Sequence, residues 1–202
     1  MEPPDLVADK FQYLVDTPSD INQHLTTLKR LSSNCESVIE MGVRGGFSTY
    51  ALLAGRPKTM QSFDINPIGV LENNLVSFSQ HTGTDWFFYH ENVLLTDNVH
   101  DCDMLFIDTW HAYKQLASEL YLHGNKARKY LVFHDVITFG SNDELGSLNT
   151  TSFSDDLKSF VEKLPNKTGL MPAINEFLER NPHWQIQAMY PYNNGLMVLE
   201  RR

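Results

Sequence analysis

The sequence predicts a doubly wound α/β fold: a mostly parallel seven-stranded sheet with helices on both faces, closed by an antiparallel C-terminal hairpin. Three observations predict it. Short apolar runs alternate with helical patterns over residues 37–133, the rhythm of β-α-β units. Such runs suit strands that are buried on both faces of a parallel sheet. Lastly, a Pro-Tyr-Asn-Asn-Gly turn at 191–195 separates two further apolar segments, which is a hairpin signal.

The elements follow in order. Ser19-Asp20 forms an N-cap for a helix running to about residue 31, with Ile21, Leu25, Leu28 and Leu31 on one face. A strand over 37–41 ends in a glycine turn, and 48–53 is helical. Strand 59–63, helix 69–79 and strand 86–89 repeat the unit, as do strand 104–107, helix 111–125 and strand 130–133. The basic cluster at 126–129 suits a helix end, where cations complement the dipole. Residues 139–156 form a long polar loop, and such loops in compact domains tend to be lids or binding loops. A helix over 169–180 carries Pro172 in its first turn, where proline is tolerated. Strands 184–190 and 196–200 make the hairpin.

At 202 residues, one domain spanning 1–202 is expected, with 1–34 as an N-terminal helical extension and 139–156 as the substrate lid. The first sixteen residues either cover the pocket or fray. A hydrophobic share of 42% and a charged share of 20% are those of a globular protein. A net charge of −9 and the lack of a basic stripe argue against a nucleic acid partner. Cys35 and Cys102 form no CxxC pair, so neither a disulfide framework nor a zinc knuckle is indicated. No leader pattern and no apolar run near ~20 residues is present, so a cytoplasmic protein off the membrane is expected. Homo-oligomerisation is left open.

In an open parallel sheet, ligands bind beyond the carboxyl ends of the strands, where strand order reverses. The first strand ends Glu40-Met41-Gly42-Val43-Arg44-Gly45-Gly46. Arg44 and Phe47 stand where a dinucleotide fingerprint needs its second and third glycines, which disfavours a pyrophosphate cradle. The pattern present is Glu40-x-Gly42-x-x-x-Gly46, where glycines permit close ligand approach and Glu40 offers an acceptor to a cationic group. The second strand ends at Asp64, placed to accept two ribose hydroxyls, and the third at His90-Glu91-Asn92, a polar edge suited to adenine. Glu40, Gly42, Gly46, Asp64 and Asn92 together resemble the cofactor motifs of class I, Rossmann-like, S-adenosylmethionine-dependent methyltransferases. The resemblance extends over about 36–202 because the C-terminal hairpin matches too.

A second constellation lies at the ends of strands four and five. Asp108, His111, His134 and Asp135 should converge, because neighbouring strands lie ~4.8 Å apart. Two carboxylates and an imidazole suit a divalent cation, and His111 is placed to take a proton from a bound hydroxyl. Each residue also has a plainer reading, with Asp108 capping the next helix and His134-Asp135 satisfying backbone groups. Asp108-x-x-His111 and His134-Asp135 resemble the pattern of metal-dependent small-molecule O-methyltransferases of the macrolide-sugar and cephalosporin type. That resemblance implies Asp108 and Asp135 as metal ligands, with His134 beside them, and His111 as general base. The chain departs from it at His134, where the group has a carboxylate. Imidazole is a poor ligand for magnesium, so manganese, iron or no metal at all comes into question. The expected activity is methyl transfer to an oxygen of a small molecule. The alternatives are an inactive cofactor-binding module, or a metal-dependent hydroxylase or hydrolase built on Asp108, His134 and Asp135. Trp86, Trp110 and Tyr113 either stack on a substrate ring or pack in the core.

Overall fold

The computed structural model describes residues 5–202 and contains one seven-stranded sheet of order β3-β2-β1-β4-β5-β7-β6. The strands are β1 (Ser37–Met41), β2 (Thr59–Asp64), β3 (Asp85–His90), β4 (Cys102–Ile107), β5 (Ala127–His134), β6 (Trp184–Tyr190) and β7 (Leu196–Arg201). β1 to β5 pair in parallel, and β7 enters antiparallel between β5 and β6. The fold class expected from the sequence is the one observed.

The helices are α1 (Leu6–Asp16), α2 (Leu25–Ser32), α3 (Phe47–Ala54), α4 (Val70–Thr82), α5 (Tyr113–His123), α6 (Asp155–Lys163) and α7 (Leu170–Arg180). They form two layers, and the alternation of side chains along each strand explains why. Ile39, Met41, Leu105, Ile107, Leu131 and Phe133 point to one face, into a core shared with α5, α6 and α7. Val38, Met60, Met104, Phe106, Val132 and Val198 point to the other, against α1 to α4. Central β4 is buried along its whole length, as a strand packed on both faces must be.

Four expectations need correction. Ser19-Asp20 does not cap the helix that ends near residue 31: α2 begins at Leu25, after a 3-10 turn over Asn22–His24, with no side-chain cap. The segment before residue 17 does not fray: Asp5 caps α1 by accepting from Val7 N and Ala8 N, and Val7, Phe11 and Leu14 are buried. Residues 1–4 of that segment lie outside those described. The basic cluster at 126–129 is not a helix end. Arg128 and Lys129 lie on β5, where both pair with Asp103, and only Lys126 ends a short 3-10 turn. Finally, His111 precedes α5, which begins at Tyr113. Among the described residues no helix is long and apolar enough to cross a membrane.

Candidate functional site

A cavity of about 730 Å³ opens at the carboxyl ends of β1, β2, β4 and β5, where strand order reverses between β1 and β4. Gly42, Asp64 and Asn92 line one side of it, and Asp108, His111 and Asp135 the other. An adjoining hollow of about 460 Å³ shares Asp20, Val43, Arg44 and Asp108 with it.

The glycine loop is shaped by its neighbours. Gly42 has φ +94°, and a Cβ there would lie 2.0 Å from the carbonyl oxygen of Asp108. Only glycine lets β1 and β4 approach so closely. Gly46 has φ +77° and forms the N-cap of α3. Arg44, standing where the dinucleotide pattern has glycine, adopts φ +47°, a left-handed conformation costly for a side-chain-bearing residue. Asp64 offsets that cost. Its Oδ2 accepts from Val43 N at 2.9 Å and Arg44 N at 3.0 Å, and its Oδ1 from Asn66 N at 2.8 Å. With roughly four acceptor sites on a carboxylate, one remains, not the two that a pair of ribose hydroxyls would need. Asn92 reaches the cavity, and its Oδ1 accepts from Leu94 N at 2.9 Å.

Glu40 departs from its expected place. It is fully buried, and Ser48, Thr49 and Ser62 donate hydroxyls to it at 2.6, 2.8 and 2.7 Å. Burial pushes its carboxyl up to about 7, against the pull of those hydroxyls. Glu40 therefore ties α3 to β1 and β2 beneath the loop and does not meet the cavity.

On the opposite side, two imidazoles converge on two carboxylate oxygens. His111 Nε2 lies 3.2 Å from Asp108 Oδ1 and 3.0 Å from Asp135 Oδ2. His134 Nδ1 lies 3.4 and 3.1 Å from the same two atoms, in ion-pair reach but out of line for a hydrogen bond. His134 is 2% exposed. Burial disfavours both imidazolium ions, yet the two carboxylates outweigh it and raise each ring to about 10. Burial would raise Asp135 too, but the two imidazoles hold it well below the usual carboxylate range. Asp135 sits at φ +61°, left-handed, a strain of the sort found where a site over-determines its residues.

Glu144 Oε2 lies 3.0 Å from the other ring nitrogen of His111, Nδ1. The ring is therefore held between Glu144 on one side and Asp108 and Asp135 on the other. Asp108 does not cap the next helix: Tyr113 N at the start of α5 donates to Asp143 Oδ1 at 2.7 Å. Ligand atoms of Asp108, His111 and Asp135 all lie within 4.8 Å of one another. This spacing fits a metal ion, with His111 standing where the sequence reading placed His134. At metal–donor bonds of about 2.1 Å, octahedral neighbours stand about 3.0 Å apart and tetrahedral ones about 3.4 Å. The observed 3.0–3.4 Å separations fall in that interval. The Nδ1 of His134 is buried with no hydrogen-bond partner, beside the same two oxygens.

Several contributors carried no sequence signal. Asn193 O faces His134 Nε2 at 3.1 Å and His24 Nε2 at 3.1 Å, and the side chain of Asn193 bonds Gln23 N and Ser19 O at 2.9 and 2.8 Å. The β6–β7 turn and the segment before α2 are thereby joined behind the cluster. The 139–156 loop is also anchored: Asp143 accepts from Tyr113 N and Gly169 N, and Phe139 stacks on His111 with centroids 4.8 Å apart. Trp110 lines the cavity, whereas Tyr113 is buried and Trp86 is buried with its indole N–H on Ser62 Oγ.

No family model matches the chain, and no curated protein matches it. Solved structures do. The O-methyltransferase of Bacillus cereus, solved with S-adenosylhomocysteine, is 11% identical with a TM-score of 0.62, over 100% of this chain and 93% of that one. A Podospora anserina methyltransferase, also bound to S-adenosylhomocysteine, is 13% identical with a TM-score of 0.52, over 99% and 89%. The N-methyltransferase NodS of Bradyrhizobium japonicum, with the same ligand, is 11% identical with a TM-score of 0.53, over 97% of each chain. At such identities the likeness is one of architecture, and the chain has the fold of these methyltransferases.

Proposed function

We propose that the protein is an S-adenosylmethionine-dependent methyltransferase acting on an oxygen of a small molecule, with a divalent cation assisting. The observation that carries the proposal is convergence on one cavity. The glycine loop, Asp64 and Asn92 meet Asp108, His111 and Asp135 across about 730 Å³, space for a nucleoside cofactor and a small acceptor together. Gly42 and Gly46 hold the loop open to the cofactor's amino-acid end. Asp64 and Asn92 face its ribose and adenine, with Asp64 offering its one remaining acceptor site. The acceptor hydroxyl lies against Asp108 and Asp135, in line with the sulfur and the methyl carbon. As the O–CH₃ bond forms and the S–CH₃ bond breaks, the hydroxyl proton passes to the carboxylate–imidazole cluster and S-adenosylhomocysteine leaves. Holding the partners in that line supplies much of the acceleration. Asp108, His111 and Asp135 would hold the cation, with His134 beside them, and its chemistry is to make a bound hydroxyl more acidic. The 139–156 loop excludes water above the site.

The test is thermal unfolding of the protein alone, with S-adenosylhomocysteine, and with NAD. Ligand at 100 times its Kd adds about 2.7 kcal/mol, a rise of roughly 5–10 °C for a domain of this size. A rise with S-adenosylhomocysteine and none with NAD is expected. No rise at millimolar S-adenosylhomocysteine refutes the assignment.

A further inference from the structure

Glu144 makes a reciprocal clasp on His111 that catalysis of methyl transfer as derived above does not use. Its Oε2 lies 3.0 Å from His111 Nδ1 and accepts from His111 N at 3.2 Å, while Glu144 N donates to His111 O at 2.8 Å. Three contacts from one residue fix both the backbone and the ring of His111. The clasp also sets which ring nitrogen does what. With Nδ1–H given to the carboxylate, Nε2 is the atom turned to Asp108 Oδ1 and Asp135 Oδ2. Metal-bound histidines are oriented in this manner by a carboxylate or carbonyl on the ring nitrogen that faces away from the ion. His134 has the same arrangement in mirror form, with Nε2 on Asn193 O and a buried, unpartnered Nδ1 aimed at the same two oxygens.

We propose that Glu144 is a positioning residue that holds His111 as the imidazole ligand of an Asp108–His111–Asp135 centre, so that order in the 139–156 loop and cation binding are coupled. The inference rests on the metal-assisted reading above. An imidazole with two carboxylates suits a borderline ion such as Mn²⁺, Fe²⁺ or Zn²⁺ over Mg²⁺, which prefers oxygen alone. The coupling is carried by residues already described. Glu144 is half exposed, and next to it Asp143 pins the loop to the first residue of α5 and to Gly169 before α7. Leu145 is exposed, but beyond it Gly146 lies against Trp110 and Leu148 packs on the core, so the clasp sits in a stretch of loop held on both sides. By linkage, whatever loop order adds to cation affinity, the cation returns to loop order.

The experiment is calorimetric titration of the full chain with Mn²⁺ and, separately, Mg²⁺, paired with hydrogen exchange of residues 141–149 with and without Mn²⁺. The proteins are wild type, Glu144→Ala, Glu144→Gln and Glu144→Asp, each first shown to be folded by circular dichroism. The expected result is Mn²⁺ bound more tightly than Mg²⁺ by wild type. Glu144→Ala should weaken Mn²⁺ binding by about 10- to 100-fold. Glu144→Asp should restore part of the loss, and Glu144→Gln, which keeps shape without charge, should fall between. Mn²⁺ should slow exchange at the loop in wild type and not in Glu144→Ala. Equal Mn²⁺ affinity in wild type and in whichever of the Ala and Gln variants folds would overturn the proposal. So would tight binding with no change in loop exchange. Absence of Mn²⁺ binding to wild type would overturn it and the cation-assisted step. A retained shift with S-adenosylhomocysteine would then leave the methyltransferase reading standing.

Discussion

Gly42 and Gly46 lie four residues apart in one loop, and the structure separates what each tolerates. In Gly42→Ala the new carbon meets the Asp108 carbonyl oxygen at 2.0 Å, at least 1 Å inside the 3.0 Å that real side chains respect. Neither partner is a flexible side chain, so the ends of β1 and β4 must part. Parting them breaks the bond from Asp108 N to Met41 O, now 2.8 Å. The left-handed φ costs about 1–2 kcal/mol, the lost bond about 1 kcal/mol, and the displaced core about 1–3 kcal/mol. The sum is roughly 3–6 kcal/mol, a large part of the stability of an average domain. In Gly46→Ala the Cβ meets only the Leu71 side chain, with its two methyls at 3.1 and 3.3 Å, and that side chain can give way. Its cost is the backbone conformation alone, about 1–2 kcal/mol. Urea unfolding monitored by tryptophan fluorescence measures both variants against wild type. Gly42→Ala should lose at least about 2 kcal/mol more than Gly46→Ala and should also displace Asp108 from His111 and His134. Equal destabilisation, or a Gly42→Ala variant within about 1 kcal/mol of wild type, would refute the steric argument.

Other expectations concern charge. Burial pushes Glu119 from its ordinary 4.5 up to about 7, with Thr109 and Gln115 donating to Oε1 and no partner at Oε2. The folded state therefore favours the protonated acid, and stability falls as pH rises from 4.5 toward 7, where the folded carboxyl finally ionises. Glu119→Gln should flatten that decline, and an unaltered pH slope in denaturant titrations would count against it. Asp64→Ala removes the one oxygen that accepts from both Val43 N and Arg44 N, so S-adenosylhomocysteine affinity should drop at least tenfold, as calorimetry would record. Unchanged affinity would remove Asp64 from the cofactor site. Chelator should abolish turnover that Mn²⁺ restores, and full activity in chelator would eliminate the cation from the reaction. Asn193→Ala removes the bonds to Gln23 N and Ser19 O, and should raise proteolytic cleavage near residues 17–24. An unchanged cleavage pattern would show the segment to be held by other contacts.

The parts legible in the sequence were those with a period or a punctuation mark. Strand β1 and the start of β7 follow from apolar runs bounded by Gly42 and by the Asn193-Asn194-Gly195 turn. The parallel ends of β4 and β5 put Asp108 and Asp135 side by side for a reason of sheet geometry alone. What stayed hidden depends on burial or on distant pairing. Glu40 carries the same letter whether it faces a ligand or three hydroxyls, and only the packing of α3 decides between them. Helix was expected within 1–34, but the docking of α1 was not legible, because Val7, Phe11 and Leu14 have their partners on α2 to α4 and not nearby in sequence. Glu144 lies 33 residues from His111 in a polar loop with no periodic signal, and Asn193 lies 169 from His24. The left-handed φ of Asp135 belongs to no motif readable in the sequence.

Asn193 has a consequence for the order in which the molecule is made. Its carbonyl meets rings at positions 24 and 134, and its side chain meets residues 19 and 23. A chain emerging from the ribosome has β1 to β5 long before it has the turn that fastens the segment leading into α2. Until β7 slots between β5 and its own hairpin partner, His24 and His134 lack the carbonyl that orients them, and closing a loop of this length is slow. The sheet's first five strands can therefore assemble as a scaffold with an unfinished pocket. His24 and His134 take their final orientation only once the β6–β7 turn is in place.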